Sequence, residues 1–187
     1  WAVNYLIHEK FGFPQLDSFV DMSKGSMSVG GYFTEMLDPT MNWDDVASLV
    51  EFWDGQFCLK GVMSVEDAKR AVEIGCTGIV VSNHGGRQLD GGRSSFDQLE
   101  EIVGAVGDQI DVILDSGIQR GSHVLKALSL GAKAVGGGRF YLYALAAAGG
   151  QGVERALQIM HEEIERDMRL MGVSSIQELS RDNLRFR

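Results

Sequence analysis

From residue 56 onward the hydrophobic positions fall into two alternating patterns. Short, nearly continuous apolar runs cover residues 56–60, 77–81, 111–115 and 134–138. Between and after them, apolar residues recur at the 3.6-residue spacing of amphipathic helices. The first helical stretch is capped by Ser64, opens with the acids Glu66 and Asp67, runs through Ala68, Ala71, Val72 and Ile74, and stops at Gly75. The next begins at Phe96 and continues through Val103, a third covers 122–130, and helical spacing extends from Tyr141 to Met171.

Apolar runs without alternation, each followed by a helix, predict parallel strands covered by helices. Two architectures satisfy that pattern, a doubly wound sheet and a (β/α)8 barrel. The unusual residues separate them. Lys60 ends the first run, Ser82-Asn83-His84 the second, Asp115-Ser116-Gly117 the third and Gly138-Arg139 the fourth. A barrel gathers its strand ends at one mouth, whereas an open sheet strings them along a crevice. The expected fold is therefore α/β, of the (β/α)8 TIM-barrel type. A closed barrel typically takes ~250 residues, and the pattern shows about four βα units, so only half of one is expected here.

The first third reads differently. Residues 43–53 have helical spacing, with Asn42 as a cap, but the stretch 21–38 (DMSKGSMSVGGYFTEMLD) is rich in Ser, Gly and Met and has no period. Such a stretch fits a mobile lid or a linker. The expected organisation is an N-terminal segment over 1–40 that holds this lid or linker, and a barrel half over 41–187. The chain opens Trp1-Ala-Val-Asn-Tyr5, with neither a methionine nor a secretory signal, and is expected to lie inside a longer protein.

Composition adds limits. A 44% hydrophobic content is that of an ordinary globular chain, and the net charge of −9 argues against a broad nucleic-acid surface. No apolar stretch reaches the ~18 residues of a membrane span. Cys58 and Cys76 read as two structural thiols, which points to a reducing, cytoplasmic compartment. His8, His123 and His161 share no metal-ligand spacing. Met160, Met168 and Met171 are expected in the core, and the charges from Glu154 to Arg169 on a solvated helix face.

The glycines change the picture more. There are 24 of them against 2 prolines, and many stand at strand ends. Asp115-Ser-Gly-Ile-Gln-Arg-Gly121 and Gly136-Gly-Gly-Arg139 are two consecutive loops in which backbone amides can approach an anion, with Arg139 supplying a forked charge. Tight turns alone would also use glycine; two loops in succession with an arginine favour phosphate. Lys60 either faces an electron-rich cofactor ring or is a surface lysine just past its strand. His84 with Arg87 three residues on offers a proton acceptor and a carboxylate binder in one loop, against the simpler reading of a loop histidine. Asn83 and Asp90 read as braces of that loop.

Together, Leu59-Lys60-Gly61, Ser82-Asn-His-Gly-Gly-Arg-Gln-Leu-Asp90, Leu114-Asp-Ser-Gly117, Arg120-Gly121 and Gly138-Arg139 resemble the FMN-dependent α-hydroxy acid oxidase/dehydrogenase family, over roughly residues 42–187 and its C-terminal half. The resemblance implies a β/α barrel with FMN at its mouth. Lys60 would stabilise negative charge on the reduced ring and Ser82 would touch the flavin edge. Asp115, Ser116, Gly117, Ile118 and Gln119, with Gly138 and Arg139, would hold the ribityl chain and phosphate. His84 would remove a substrate proton and Arg87 bind the carboxylate of a small (S)-2-hydroxy acid of lactate, glycolate or mandelate type. Electrons would pass to a second acceptor.

Two positions depart from the family. Gln119 stands where an arginine is common, so charge would come from Arg120 or Arg139. Gly136-Gly137-Gly138 replaces a branched residue of the last strand, which should loosen it. The family's first barrel half also supplies tyrosines, a second arginine and an aspartate that orients the base, and none of those motifs is found in this sequence. The chain is therefore expected to be incomplete as a catalyst and to associate as a homo-oligomer or with the missing half. The competing readings are a non-catalytic truncated barrel and another FMN barrel enzyme.

Overall fold

The computed structural model describes residues 36–185 together with Val3, Gly31 and Thr34. The chain divides into two compact units, residues 1–46 and 47–187. Most of the first unit, and with it most of the expected lid or linker over 21–38, lies outside the described residues. Within that unit the start of helix α1 (Trp43–Trp53) is capped as the sequence suggests. The Asn42 side chain accepts from the Asp44 amide, and Asp45 reaches back to the Asn42 amide, each at 2.8 Å.

The second unit is built on four parallel strands, β1 (Cys58–Lys60), β2 (Gly78–Val81), β3 (Asp111–Asp115) and β4 (Ala134–Gly136). They lie side by side in chain order, β1-β2-β3-β4. Order without reversal is that of a barrel wound in one direction; a doubly wound sheet would reverse at a switch point. Helices α2 (Val65–Glu73), α3 (Ser95–Val106), α4 (Gly121–Ser129) and α5 (Gly138–Met171) follow the strands in turn. Ser64 caps α2 by accepting the Asp67 amide at 3.1 Å, and Gly75 turns the chain out of it at φ +91°. Ser94 caps α3 in the same way.

Alternation along the strands sets two faces. Ile79, Val81, Val112 and Leu114 are fully buried and form the core with Leu99, Ile102 and Val106 of α3. Val80 and Ile113, on the opposite face, are half-buried. In a closed barrel that face would be filled by layers of side chains from all eight strands. Four strands leave it half covered, and β1 and β4 each have one strand neighbour among the described residues.

Three expectations need correction. The last strand ends at Gly136 rather than residue 138, because Gly138 and Arg139 already belong to the first turn of α5. That helix is not continuous: Ala148 (φ −150°) and Gly149 (φ 60°, ψ −146°) break it where Gly149-Gly150 removes any penalty for leaving the helix. Of the three methionines assigned to the core, Met160 is buried, Met168 half-buried and Met171 exposed. Met171 is the final residue of α5, where the helix runs beyond its buried stripe.

Candidate functional site

Strand register puts Lys60, Val80 and Ile113 in one row, with Asp115 one alternation further along the same face. Ser82, the residue just past β2, joins them. Lys60 Nζ donates to Ser82 Oγ at 2.9 Å and to Asp115 Oδ2 at 3.0 Å, and Ser82 Oγ donates to Asp115 Oδ2 at 2.5 Å. The lysine at a strand end thus has the partner that a charge there requires. Burial raises the Asp115 carboxyl, but hydrogen bonds from Ser82 and Lys60, with the lysine charge, outweigh it and hold the group below its ordinary 3.8. Gly136 on β4 keeps room for this carboxylate, since a Cβ there would stand 3.1 Å from Asp115 Oδ1. Its lack of a branched side chain therefore has a local reason.

The segment after Ser82 is a left-handed turn. His84, Gly85 and Gly86 have φ of 56°, 69° and 72°, which is costly for the histidine and free for the glycines. Asn83 braces the turn: its side chain accepts the Gly86 amide at 3.1 Å and donates to the Arg93 carbonyl at 3.2 Å. The buried Gln98 extends the brace, accepting from Arg93 and donating to the Met63 carbonyl. Asp90 contributes less than expected, accepting the amide of its neighbour Gly91. On the facing loop Ser116 is also left-handed, at φ 86°, and its hydroxyl accepts the Gly85 amide at 2.9 Å. Arg139 donates to the Gly85 carbonyl at 2.7 Å, and any Cβ at Gly85 would collide with that guanidinium.

These loops enclose a cavity of about 180 Å³ whose wall contains His84, Arg87, Asp115, Ser116, Gly117, Ile118, Gln119, Gly138 and Arg139, closed by Phe140 and Leu142. Lys60 and Ser82 reach it through Asp115. His84 and Arg87 are exposed, and neither side chain hydrogen-bonds or ion-pairs with any of the described residues. A larger cavity of about 440 Å³ shares Gly85, Ser116, Gly117, Ile118 and Arg139 but has neither His84 nor Arg87 in its wall. His84 and Arg87 meet the 115–119 loop and Arg139 at the smaller one.

Arg120 does not join them. Its guanidinium pairs with Glu163 of α5 at 2.7 Å, so of the two arginines considered for the position left by Gln119 only Arg139 faces the cavity. Glu163, Phe140 and Leu142 escape a reading by motif. The signal for Glu163 was its place three residues after Met160, on the buried stripe of α5.

Fold and site together define a barrel mouth that offers a cationic, amide-rich wall beside an unpaired histidine. The sequence matches the FMN-dependent dehydrogenase family over residues 3–186, and the chain belongs to that family. It is 50% identical over 145 residues to pre-mycofactocin synthase of Mycobacterium tuberculosis, covering 78% of this chain and 37% of that protein. It is 44% identical over 169 residues to an FMN-dependent alpha-hydroxy acid dehydrogenase of Schizosaccharomyces pombe, covering 88% and 42%. The crystal structure of mandelate oxidase with benzoyl-formic acid superposes with a TM-score of 0.72 at 47% identity, covering 75% of this chain and 42% of that one. The chain thus spans about two fifths of the length of these relatives.

The residues present fit the family's cofactor. Around Gly138 and Gly117 a Cβ would meet nothing within 4 Å, and the first turn of α5 has no side-chain cap. Open space, free amides and Arg139 suit a phosphate. The Lys60 side chain is 54% exposed, so a cation is available to an electron-rich ring.

Proposed function

We propose that this chain is part of an enzyme that oxidises a small (S)-2-hydroxy acid, of lactate, glycolate or mandelate type, to the 2-oxo acid. The reaction removes two electrons and two protons from the C–H and O–H of C2. Bound FMN would accept the electron pair and later pass it to a second acceptor. Arg87 binds the substrate carboxylate through its forked guanidinium. His84, held at the cavity wall by the turn that Asn83 braces, removes a substrate proton. Lys60 and Ser82 would meet the flavin side of the cofactor. Asp115 to Gln119, with Gly138 and Arg139, would hold its ribityl and phosphate side.

The observation that carries this reading is the convergence of His84, Arg87, Arg139 and the 115–119 loop on one cavity at the strand carboxyl ends. Another substrate on the same cofactor is the second reading, favoured by the 50% identity to a relative named for pre-mycofactocin. Cys58 and Cys76 are free thiols, in keeping with a reducing, cytoplasmic setting. No helix of the described residues is long and apolar enough to cross a membrane. The half-covered sheet face, with Tyr141, Leu142, Tyr143 and Leu145 exposed on α5, supports association with the other barrel strands or with a second copy. The stretch 21–38 would serve as lid or linker in the assembled enzyme.

The test is anaerobic bleaching of FMN by lactate, glycolate and mandelate, with this chain alone and with a chain that supplies the remaining strands. The expected result is slow or no bleaching alone and rapid bleaching on reconstitution. A reconstituted barrel that holds FMN yet is bleached by none of the three acids would overturn the reading.

A further inference from the structure

Glu163 is the one charged residue that is buried among the described residues, and it lines none of the cavities at the mouth. Its surroundings are unusually specific. Helix α4 starts at Gly121 with Arg120 in the cap position, and the Arg120 side chain makes no cap of its own. Helix starts leave backbone N–H groups without partners. Glu163, from the second half of α5, accepts the Gly121 amide at 2.8 Å. Arg120 then donates to both of its oxygens, through Nε at 3.1 Å and Nη2 at 2.7 Å.

The backbones approach to suit. A Cβ on Gly121 would lie 2.6 Å from both Glu163 Cβ and the Ile164 amide nitrogen, so only glycine allows α4 to begin here. Hydrogen bonds from Arg120 and from the Gly121 amide hold the carboxyl below its ordinary 4.5, so the pair is ionised at neutral pH.

This contact fixes one end of a short loop. Residues 115–120 leave β3 at Asp115, which is tied to Lys60 and Ser82, and enter α4 at Arg120, which is tied to Glu163. Between the two anchors Ser116 and Gly117 hold left-handed conformations at φ 86° and 80°. A loop with two such residues is not held by local preference, so its shape depends on its two ends and on the contacts between them, the Gly85 amide on Ser116 Oγ and the His123 ring beside the Gly117 carbonyl and the Gln119 amide.

We propose that Glu163 is a positioning residue: through Arg120 and the Gly121 amide it holds the 115–119 wall in the shape that receives the cofactor. The inference rests on the reading that FMN binds at this wall. Glu163 also fills the start of α4 with an internal anion, which leaves the start of α5 and Arg139 to the ligand's own charge.

The test combines two measurements on this chain, made with Glu163→Ala and the milder Glu163→Gln. The first is amide hydrogen exchange without ligand. Glu163→Ala should speed exchange of residues 117–122 by roughly tenfold or more, as expected for losing a charge-assisted hydrogen bond, and leave β2 and α3 unchanged. The second is flavin fluorescence titration, in which FMN affinity should fall by about tenfold. Glu163→Gln should lie between, because its amide oxygen still accepts the Gly121 amide. Exchange that rises equally in β2 and α3 would mark a general structural role and overturn the proposal. So would a loosened loop with unchanged FMN affinity. A wild-type chain that binds no FMN would count against the cofactor reading, while the loop-confined exchange would still decide whether Glu163 sets the wall.

Discussion

Asp115 ends β3 and His84 follows the end of its neighbour β2, yet their surroundings are opposite. Asp115 is enclosed by donors from Lys60 and Ser82, and Gly136 gives it room. His84 is exposed, has positive φ, and is held through its backbone: its amide donates to Ser82 Oγ at 3.2 Å, and its imidazole has no partner among the described residues. One side of the mouth is satisfied before any ligand arrives. The other presents a histidine and an arginine that need a ligand or further residues to orient them. The difference suggests a division of labour in which the Lys60–Ser82–Asp115 side binds and the His84–Arg87 side reacts.

If that division holds, substitutions on the two sides should fail differently. His84→Gln in the assembled enzyme should slow anaerobic flavin reduction by ~10²-fold or more, with FMN affinity little changed. Parallel loss of both would break the comparison. Asp115→Ala should cost stability as well as cofactor affinity, by about 1–3 kcal/mol for donors left without their acceptor. Urea unfolding would measure it, and an unshifted midpoint would mean that the cluster is not a structural unit. Gly85→Ala should cost about 1–2 kcal/mol, because the residue is left-handed and its new methyl displaces Arg139. Its effect on FMN binding should exceed that of Gly86→Ala, where a Cβ meets nothing.

The smallest effect is on acid stability. Asp115 and Glu163 both titrate below their ordinary values of 3.8 and 4.5 when folded. Each therefore contributes stability that is complete above its unfolded value and is lost as pH falls through its folded one. The thermal midpoint should be flat from roughly pH 7 to about pH 5 and fall below that. Glu163→Gln should make the fall shallower, and an unchanged acid limb would show that the Arg120 pair carries no linkage.

The four strands and the helices after them were legible because buried parallel strands leave continuous apolar runs and amphipathic helices leave a 3.6-residue period. The mouth was legible because chemistry-bearing residues ended each run. Legibility failed where glycine made the signal ambiguous. Gly136-Gly-Gly138 extends a strand pattern by eye, but the helix claims Gly138, and Ala148-Gly149 breaks a period that looks continuous. Glu163 was read with the solvated charges of α5 because its burial depends on the start of α4, which is distant in sequence. Arg120 looked available for the same reason. The left-handed turn at His84 could be foreseen from Gly85-Gly86, but its closure by Arg139 from α5 could not.

The central claim is that this mouth receives FMN by its phosphate at Gly138 and Arg139. The most direct measurement is a flavin fluorescence titration of the chain and its Arg139→Ala variant, with FMN and with riboflavin, which lacks the phosphate. The account predicts that FMN binds and that the substitution weakens it by about tenfold or more, the scale of a lost charge-assisted hydrogen bond, while riboflavin binding scarcely changes. Equal weakening of both flavins, or FMN binding indifferent to Arg139, would contradict it.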